Sequence, residues 1–151
     1  MVRVMASGVF DLLHIGHLHY LREARDMGDE LVVVVATDET VRQRKHSPVI
    51  PEDMRRELVA SLKPVDMAVV GHSDDMLRVV EELKPNIVAL GYDQEVKDLR
   101  RMLRQRGIDA EVRRCTRYKD YDLNGTRKII SRIEEKLEKN ELYMGDRERV
   151  S

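Results

Sequence analysis

The sequence predicts a single α/β domain with a parallel sheet, and three observations lead to this prediction. Short apolar runs alternate with longer segments of helical period, which is the pattern of repeated strand–helix units with both faces of the sheet covered. Two segments have similar sequences, LKPVDMAVVG from Leu62 and LKPNIVALG from Leu83. Each reads as the end of a helix, followed by a proline, a short buried strand and a glycine. The 151 residues, with 42% hydrophobic content, suit one domain with one core.

Five strands are predicted from the apolar runs, and helices are predicted between them where apolar residues recur at helical spacing. The strands span residues 2–6, 30–36, 67–70, 87–90 and 110–113. The helical segments are one that ends at residue 28, one that ends before residue 85, and residues 38–45, 51–62, 96–106 and 126–139.

The first and last helices each have an apolar face. In the first helix that face is formed by Leu18, Leu21, Ala24 and Met27. In the last helix the expected inner face is formed by Ile129, Ile130, Ile133 and Leu137. Gly28 fits the left-handed position that ends the first helix. Residues 140–151 are polar and are expected to form a tail, so the predicted domain covers residues 1–139.

Right-handed crossovers and one reversal of direction arrange these strands as a Rossmann-like, doubly wound sheet of order 3-2-1-4-5. Ligands bind such sheets beyond the carboxyl ends of the strands, at the point where the order reverses. The loops at that point are residues 7–16 and 91–94, and both contain unusual polar residues. The topology therefore predicts a binding site between these two loops.

The composition favours a small-molecule partner. The 27 basic and 28 acidic side chains nearly cancel, which argues against a nucleic-acid coat or a membrane-surface role. Cys115 is the only cysteine, so no internal disulfide is possible, and the N-terminus lacks the pattern of a signal peptide. No apolar stretch approaches the roughly 20 residues needed to cross a bilayer. We therefore expect a cytoplasmic protein.

The stretch GVFDLLHIGH places two histidines, three residues apart, where the loop after the first strand enters the first helix. The free N–H groups and partial positive charge of a helix N-terminus form an anion site. Gly16 keeps side-chain atoms away from the backbone there, and His14 and His17 can each donate a hydrogen bond. The motif contains no third ligand that would complete a zinc site. It therefore predicts polyphosphate binding, whereas His19, which has no motif around it, is expected to be structural.

GVFDLLHIGH resembles the signature of nucleotidyltransferases with a His-x-Gly-His motif, a cytidylyltransferase-like family that includes cytidylyltransferases, several adenylyltransferases and short FAD synthases. In such enzymes a phosphate oxygen of the acceptor attacks the α-phosphorus of a nucleoside triphosphate, and pyrophosphate leaves. The second pKa of a phosphate monoester is near 6, so no general base is required. The resemblance implies that the protein supplies position and hydrogen-bonding charge, with a divalent cation, expected to be Mg²⁺, on the triphosphate.

The same resemblance implies roles for residues in four loops. Lys45, in RQRKHSPVIPEDMRRE, resembles the mobile basic loop that closes on the triphosphate, and Arg55 lies where the family has a phosphate-site arginine. Thr126, in NGTRKIISRI, is expected to be the N-cap of the last helix and a hydroxyl donor to phosphate. The expected catalytic residues are His14, His17, Lys45 and Thr126. The expected nucleotide contacts are Val9, Phe10, Asp11, His14, Gly16, His17, Arg55, Gly91, Asp93, Gln94, Thr126 and Arg127.

Across most of its length the chain resembles the small archaeal-type FAD synthases. The similarity is carried by FDLLHIGHLHYLREARDMGDELVVVVATDETV, IPEDMRRELVASLKPVD and GYDQ. It implies that ATP is the donor, FMN the acceptor and FAD the product, in a homodimer. The expected acceptor contacts are Asp11, Lys45, Tyr92, Tyr118 and Tyr121, the tyrosines as candidate walls of a flat apolar slot for the flavin.

Three alternatives remain open. Glycerol-3-phosphate cytidylyltransferases carry an RTxGISTT-like stretch, where this chain has RYKDYDLNGTR; Asp120 in place of their arginine and Gly125 in place of a serine argue against CTP. Heptose-phosphate adenylyltransferases share FDxLHxGHxxYL. A nucleotide-sensing domain without turnover is the non-enzymatic alternative, and the loss of a motif histidine or of Lys45 would favour it, but all three residues are present.

Overall fold

A computed structural model of the protein describes residues 1–142. Its strands are β1 (Arg3–Gly8), β2 (Glu30–Val35), β3 (Met67–Val70), β4 (Ile87–Leu90) and β5 (Glu111–Arg114). Its helices are α1 (Ile15–Asp26), α2 (Asp38–Gln43), α3 (Glu52–Ala60), α4 (Arg78–Leu83), α5 (Val96–Gln105) and α6 (Thr126–Glu138). All five strands are parallel and lie in the order β3-β2-β1-β4-β5, so the predicted fold class and strand order are confirmed.

The sheet separates two apolar layers. One contains buried residues of α1 and α3, such as Leu21 and Val59, against alternate residues of the strands. The other contains buried residues of α4 and α5, such as Val80 and Leu103. Helices on both faces explain why the strands read as continuous apolar runs rather than as alternating ones.

The sheet opens at the carboxyl end of its central strands. Pairing between β1 and β4 ends at Ala6 and Ala89, although β1 continues beside β2 to Gly8. The hydroxyl of Tyr20, on α1, donates to the Ala89 carbonyl at 2.6 Å and accepts from the Ser7 amide at 3.1 Å. Burial raises the pKa of this phenol well above its usual value. Tyr20 therefore bridges the gap where strand order reverses, which is the predicted position of the site.

Gly28 does not adopt the left-handed conformation that the sequence predicted for it, and glycine is needed there for another reason. Among the described residues, Gly107 is the glycine with a positive φ, of 70°, whereas Gly28 is not left-handed. A Cβ at Gly28 would lie 2.8 Å from atoms of Val2 and Val4. Glycine is needed there because the chain entering β2 passes directly over the start of β1.

The expected inner face of α6 is not buried within residues 1–142. Ile130 and Ile133 are each 39% exposed and Leu137 is 46% exposed, and α6 has no buried residue. Helical periodicity identifies an apolar face but not the surface that covers it. The predicted tail begins at residue 140, and residues 143–151 lie outside the described part of the chain.

Within the described range, no helix combines the length and the apolar character that a membrane span requires.

Candidate active site

The two motif histidines form a reciprocal cap at the start of α1. His14 is the N-cap residue, and its Nδ1 accepts a hydrogen bond from the Gly16 amide at 3.1 Å. Nδ1 of His17 accepts a hydrogen bond from the His14 amide at 3.3 Å. The rings stack with their centroids 3.7 Å apart. The spacing of three residues therefore places both imidazoles side by side at the positive end of the helix.

Burial determines the protonation state of both rings, and the hydrogen bonds determine the tautomer. Burial lowers the pKa of His17 to about 3, with a further lowering from the adjacent His14, and burial also lowers the pKa of His14. Both rings are thus neutral near pH 7. Because each Nδ1 accepts an amide hydrogen, the ring proton must be on Nε2. The site therefore presents two neutral N–H donors rather than two cations.

We expect an NMR titration of the His17 ring to show no protonation between pH 8 and pH 5. The lowered pKa values of both rings also predict that acid destabilises the fold. Below about pH 6.5 the histidines of the unfolded chain bind protons, whereas those of the folded chain do not. The free energy of unfolding should therefore fall as the pH is lowered. The Cε1–H chemical shifts and urea unfolding at each pH measure both effects. A His17 ring that titrates near 6.5 would contradict the buried cap.

Gly16 serves a different purpose from the one expected. Its amide is already bonded to His14, and a Cβ at this position would overlap the backbone carbonyl oxygen of Asn124. Glycine is therefore required for the close approach of the loop before α6 to the start of α1. The Asn124 side chain in turn donates to the Tyr118 carbonyl, which stabilises that loop.

The turn after β1 packs against the histidine pair and helps to position it. Phe10 is buried and has a φ of 53°, in the left-handed region that bulky residues rarely adopt. Its ring centroid lies 5.2 Å from that of His17 and 6.5 Å from that of Tyr20. The carbonyl of Val9, just before it, accepts a hydrogen bond from Nη1 of Arg55 at 2.7 Å. Val9 and Phe10 therefore support the His17 ring through packing and a fixed turn.

Asp11 connects this turn to the basic loop. Its two carboxylate oxygens accept the amides of Val49 and Ile50, each at 2.8 Å. Lys45 is exposed and left-handed, with a φ of 64°, directly after the C-cap of α2. The side chain of Asp11 thus holds one end of the basic loop, and Lys45 lies at the other end.

The expected role of Arg55 as a phosphate contact does not match its position. Its side chain is 0% exposed and donates to the carbonyls of Val9, Ala36 and Ile50 and to the carboxylate of Asp38. A guanidinium that is enclosed and bonded in this way does not face the loop where phosphate is expected.

The segment GYDQ forms a closed turn at the end of β4. Side-chain Oε1 of Gln94 accepts a hydrogen bond from the Gly91 amide at 2.9 Å, and the backbone amide of Gln94 donates to the Gly91 carbonyl at 3.2 Å. Asp93 and Tyr92 are exposed, and the Arg117 guanidinium lies 5.5 Å from the centre of the Tyr92 ring. This edge of the site therefore offers an aromatic face and a cation.

The three predicted tyrosines do not form one wall. Tyr118 stacks on Tyr121 at 5.9 Å and contacts His19 at 5.3 Å, whereas Tyr92 pairs with Arg117. A single flavin slot between them is thus not formed in this structure. The positions of the tyrosines in the sequence did not show on which side of the site each side chain would lie.

Thr126 is the first residue of α6, and Gly125, not Thr126, is the N-cap. No side chain caps this helix, and the Thr126 side chain is half-buried. The N-cap prediction is therefore wrong by one residue. Arg127 is exposed and lines an open groove with Asp122 and Arg132.

A cavity of about 370 Å³ lies at the carboxyl ends of the central strands, on the face of the sheet that α4 and α5 cover. Gly8 and Val9 line it from the β1 loop and Gln94 from the β4 loop. Its apolar walls come mainly from strands and from α4 and α5, and its lining also includes polar residues such as Thr37, Thr40 and Gln94. Lining residues that the sequence did not assign to a site include Arg44, His72, Met76, Leu99 and Met102. Apart from Arg44, which lies in the basic-loop stretch, none belongs to a quoted motif, and only the topology brings them together.

Comparisons with known proteins agree with this geometry. Residues 5–146 match the family model described as cytidylyltransferase-like. An FAD synthase of Aciduliprofundum boonei is 56% identical over 97% of this chain and 99% of its own, and one of Thermoplasma acidophilum is 50% identical over 89% and 96%.

Solved structures give the same result for the fold. A Thermoplasma volcanium protein described as a lipopolysaccharide core biosynthesis protein has a TM-score of 0.77 and 47% identity, over 79% of this chain and 99% of its own. A pantoate–beta-alanine ligase of Francisella tularensis, 16% identical with a TM-score of 0.57 over 79% of this chain and 60% of its own, shares the fold alone. These matches confirm the resemblance predicted from the His-x-Gly-His signature, and the chain belongs to the cytidylyltransferase-like family.

Proposed function

We propose that the protein is an FMN adenylyltransferase, which transfers AMP from ATP to the phosphate of FMN and releases pyrophosphate. The observation that carries this proposal is the pair of neutral Nε2–H donors of His14 and His17 at the start of α1. A large apolar cavity lies at the same carboxyl end of the sheet, on the side of α4 and α5. The near full-length similarity to proteins named FAD synthase supports the same acceptor.

The reaction needs binding and orientation more than proton transfer. The acceptor phosphate is largely ionised at neutral pH and attacks the α-phosphorus directly. In the proposed arrangement His14 and His17 donate to the α- and β-phosphates, and Lys45 reaches the triphosphate from the basic loop. Thr126 and Arg127 act on the leaving pyrophosphate, and residues 91–94 hold the ribose and adenine. Donors fixed before the reaction stabilise the charge that develops in the transition state.

The proposed Mg²⁺ enters with the triphosphate. Within residues 1–142 no group of three or more His, Cys, Asp or Glu side chains is arranged to hold a metal ion. Both carboxylate oxygens of Asp11, the acidic side chain of the motif, already accept backbone amides. This donor set fits a cation held mainly by substrate phosphates, as Mg²⁺ commonly is. When bound, the ion would neutralise charge on the triphosphate.

The cavity supports a flavin over a small polar acceptor. Its walls of Val79, Val88, Leu99 and Met102 suit the apolar end of a fused aromatic ring, and its volume is in the range of ligand pockets. Glycerol phosphate or a sugar phosphate would leave these walls without contacts. The relative described as a lipopolysaccharide core biosynthesis protein nevertheless makes a sugar phosphate the second candidate acceptor.

The proposal is tested by incubating the purified protein and Mg²⁺ with ATP or CTP and one acceptor: FMN, glycerol 3-phosphate or heptose phosphate. Products are identified by mass. FAD from ATP and FMN is the expected result. A CDP-glycerol or ADP-sugar product without FAD would replace the proposed acceptor, and binding of ATP with no product from any acceptor would favour a nucleotide sensor.

Leu99→Trp is expected to raise KM for FMN at least about tenfold, because the larger ring fills the cavity, and to change KM for ATP less than twofold. Steady-state kinetics with each substrate varied in turn measure this difference. Arg101→Trp, on the exposed side of the same helix, is the matched control and should change neither value. An unchanged KM for FMN in a folded Leu99→Trp protein would place the flavin elsewhere.

We also propose that the protein is a cytoplasmic homodimer. ATP and FMN are cytoplasmic metabolites, and the exposed Ile130, Ile133 and Leu137 of α6 provide an apolar face that a second copy can cover. Size-exclusion chromatography with light scattering tests the dimer, and a monomeric mass at micromolar concentration would reject it.

A further inference from the structure

Arg55 is the one charged or polar side chain that is fully buried within residues 1–142. Four of its five N–H groups have acceptors in the protein. Nε donates to the Ile50 carbonyl at 2.8 Å, and Nη1 donates to Val9 at 2.7 Å and to Ala36 at 2.8 Å. Nη2 donates to the Asp38 carboxylate at 2.7 Å. Burial of a guanidinium is costly unless its charge and hydrogen bonds are matched, and here they are.

The four acceptors belong to three different segments of the site. Val9 precedes the turn whose Phe10 ring contacts His17. Ala36 and Asp38 lie at the start of α2, the helix that leads to Lys45. Ile50 is at the end of the basic loop, where its amide is held by the motif carboxylate.

A second contact strengthens the same junction. Glu52, at the start of α3, accepts the Asp38 amide at 2.8 Å. The start of α2 and the end of the basic loop are thus both fixed, at Asp38 and at Ile50. Arg55 lies at the centre of this arrangement.

The planar fork of arginine matches this set of acceptors, and lysine does not. An ammonium group has three donors and no fixed plane, so it cannot meet three carbonyls and a carboxylate that surround a guanidinium. Carbonyls left without a donor in a closed site are unfavourable, and the segments that carry them are expected to shift.

We propose that Arg55 is a positioning residue, which sets the distance between the histidine pair and the basic loop without touching the substrate. The proposal rests on the proposed nucleotidyl transfer, because the positioned groups are those assigned to the phosphates. Small misplacement of such groups is expressed mainly in kcat.

Arg55→Lys is expected to lower kcat about tenfold to a hundredfold and to change KM for ATP less than threefold. Amide hydrogen exchange at Val49 and Ile50 should become at least about tenfold faster, because the loop end loses its anchor. Asp38→Asn keeps the shape of the carboxylate and removes its charge. This variant should lower kcat and speed the same amide exchange, but by smaller factors than Arg55→Lys.

Val59→Ala is the matched control, since Val59 is 0% exposed on the same helix and packs only in the core. It should lower Tm while leaving kcat within twofold well below the unfolding temperature. If Arg55→Lys behaves like this control, Arg55 is only structural. A tenfold rise in KM for ATP with unchanged exchange at Val49 and Ile50 would instead show direct phosphate contact. Exchange needs no turnover, so a failure of the proposed FMN activity would be distinguishable from a failure of this proposal.

Discussion

His17→Ala is expected to lower kcat at least about a hundredfold while the protein remains folded. The substitution removes one of the two Nε2–H donors assigned to the phosphates, and loss of a single preorganised donor commonly costs on the order of 3 kcal/mol in the transition state. The same change removes half of the helix cap, which costs about 1 kcal/mol of stability. Rate measurements at saturating ATP and FMN, with circular dichroism to confirm folding, test this result.

Two further variants at His17 separate the donor from the cap. His17→Gln places an amide N–H near the position of Nε2 and should retain more activity than the alanine variant. His17→Asn places its amide near the position of Nδ1, so it can preserve the contact to the His14 amide but not the outward donor. We expect it to be stable and nearly as slow as alanine. Near-normal turnover in the alanine variant would mean that this ring does not contact the phosphates.

Gly16→Ala is expected to reduce kcat about a hundredfold through a single added methyl group. The new Cβ would occupy the space of the Asn124 carbonyl oxygen, and it would lie 2.9 Å from the His14 ring. Neither neighbour can move far, because one is backbone and the other caps the helix. The loop before α6 must then shift together with Thr126, and the histidine pair must rotate, so both halves of the phosphate site lose their alignment. Stopped assays of FAD formation measure the loss.

Gly28→Ala is the matched control for this prediction. It introduces the same methyl group against backbone and side-chain atoms 2.8 Å away, but at the opposite end of α1 from the histidines. We expect it to lower Tm and to leave kcat nearly unchanged below the unfolding temperature. If Gly16→Ala lost only stability, as this control does, then the approach of Asn124 would have no part in the reaction.

The sequence predicted the architecture well because the relevant signals are local. Apolar runs located all five strands to within two residues, and the reversal in strand order located the site between the loops after β1 and β4. The position of the histidines at the helix start was also readable from GVFDLLHIGH, whereas their reciprocal capping contacts were not predicted.

Long-range contacts were not readable in the same way. Nothing near Arg55 in the sequence shows that carbonyls from residues 9, 36 and 50 converge on it. The separation of Tyr92 from Tyr118 depends on which side of the site each loop follows. The cavity walls come from α4 and α5, which carry no motif, and periodicity alone placed the apolar face of α6 inward.

The bridge made by Tyr20 divides the site into a stationary and a movable half. Tyr20 lies one turn beyond His17 on α1 and is bonded to both central strands, so it ties the helix that carries the imidazoles to the sheet. We therefore expect the histidines to keep their position relative to the sheet when substrate binds. We expect closure around a bound nucleotide to involve the segment between Lys45 and Val49, whose two ends are held by hydrogen bonds to α2 and to Asp11.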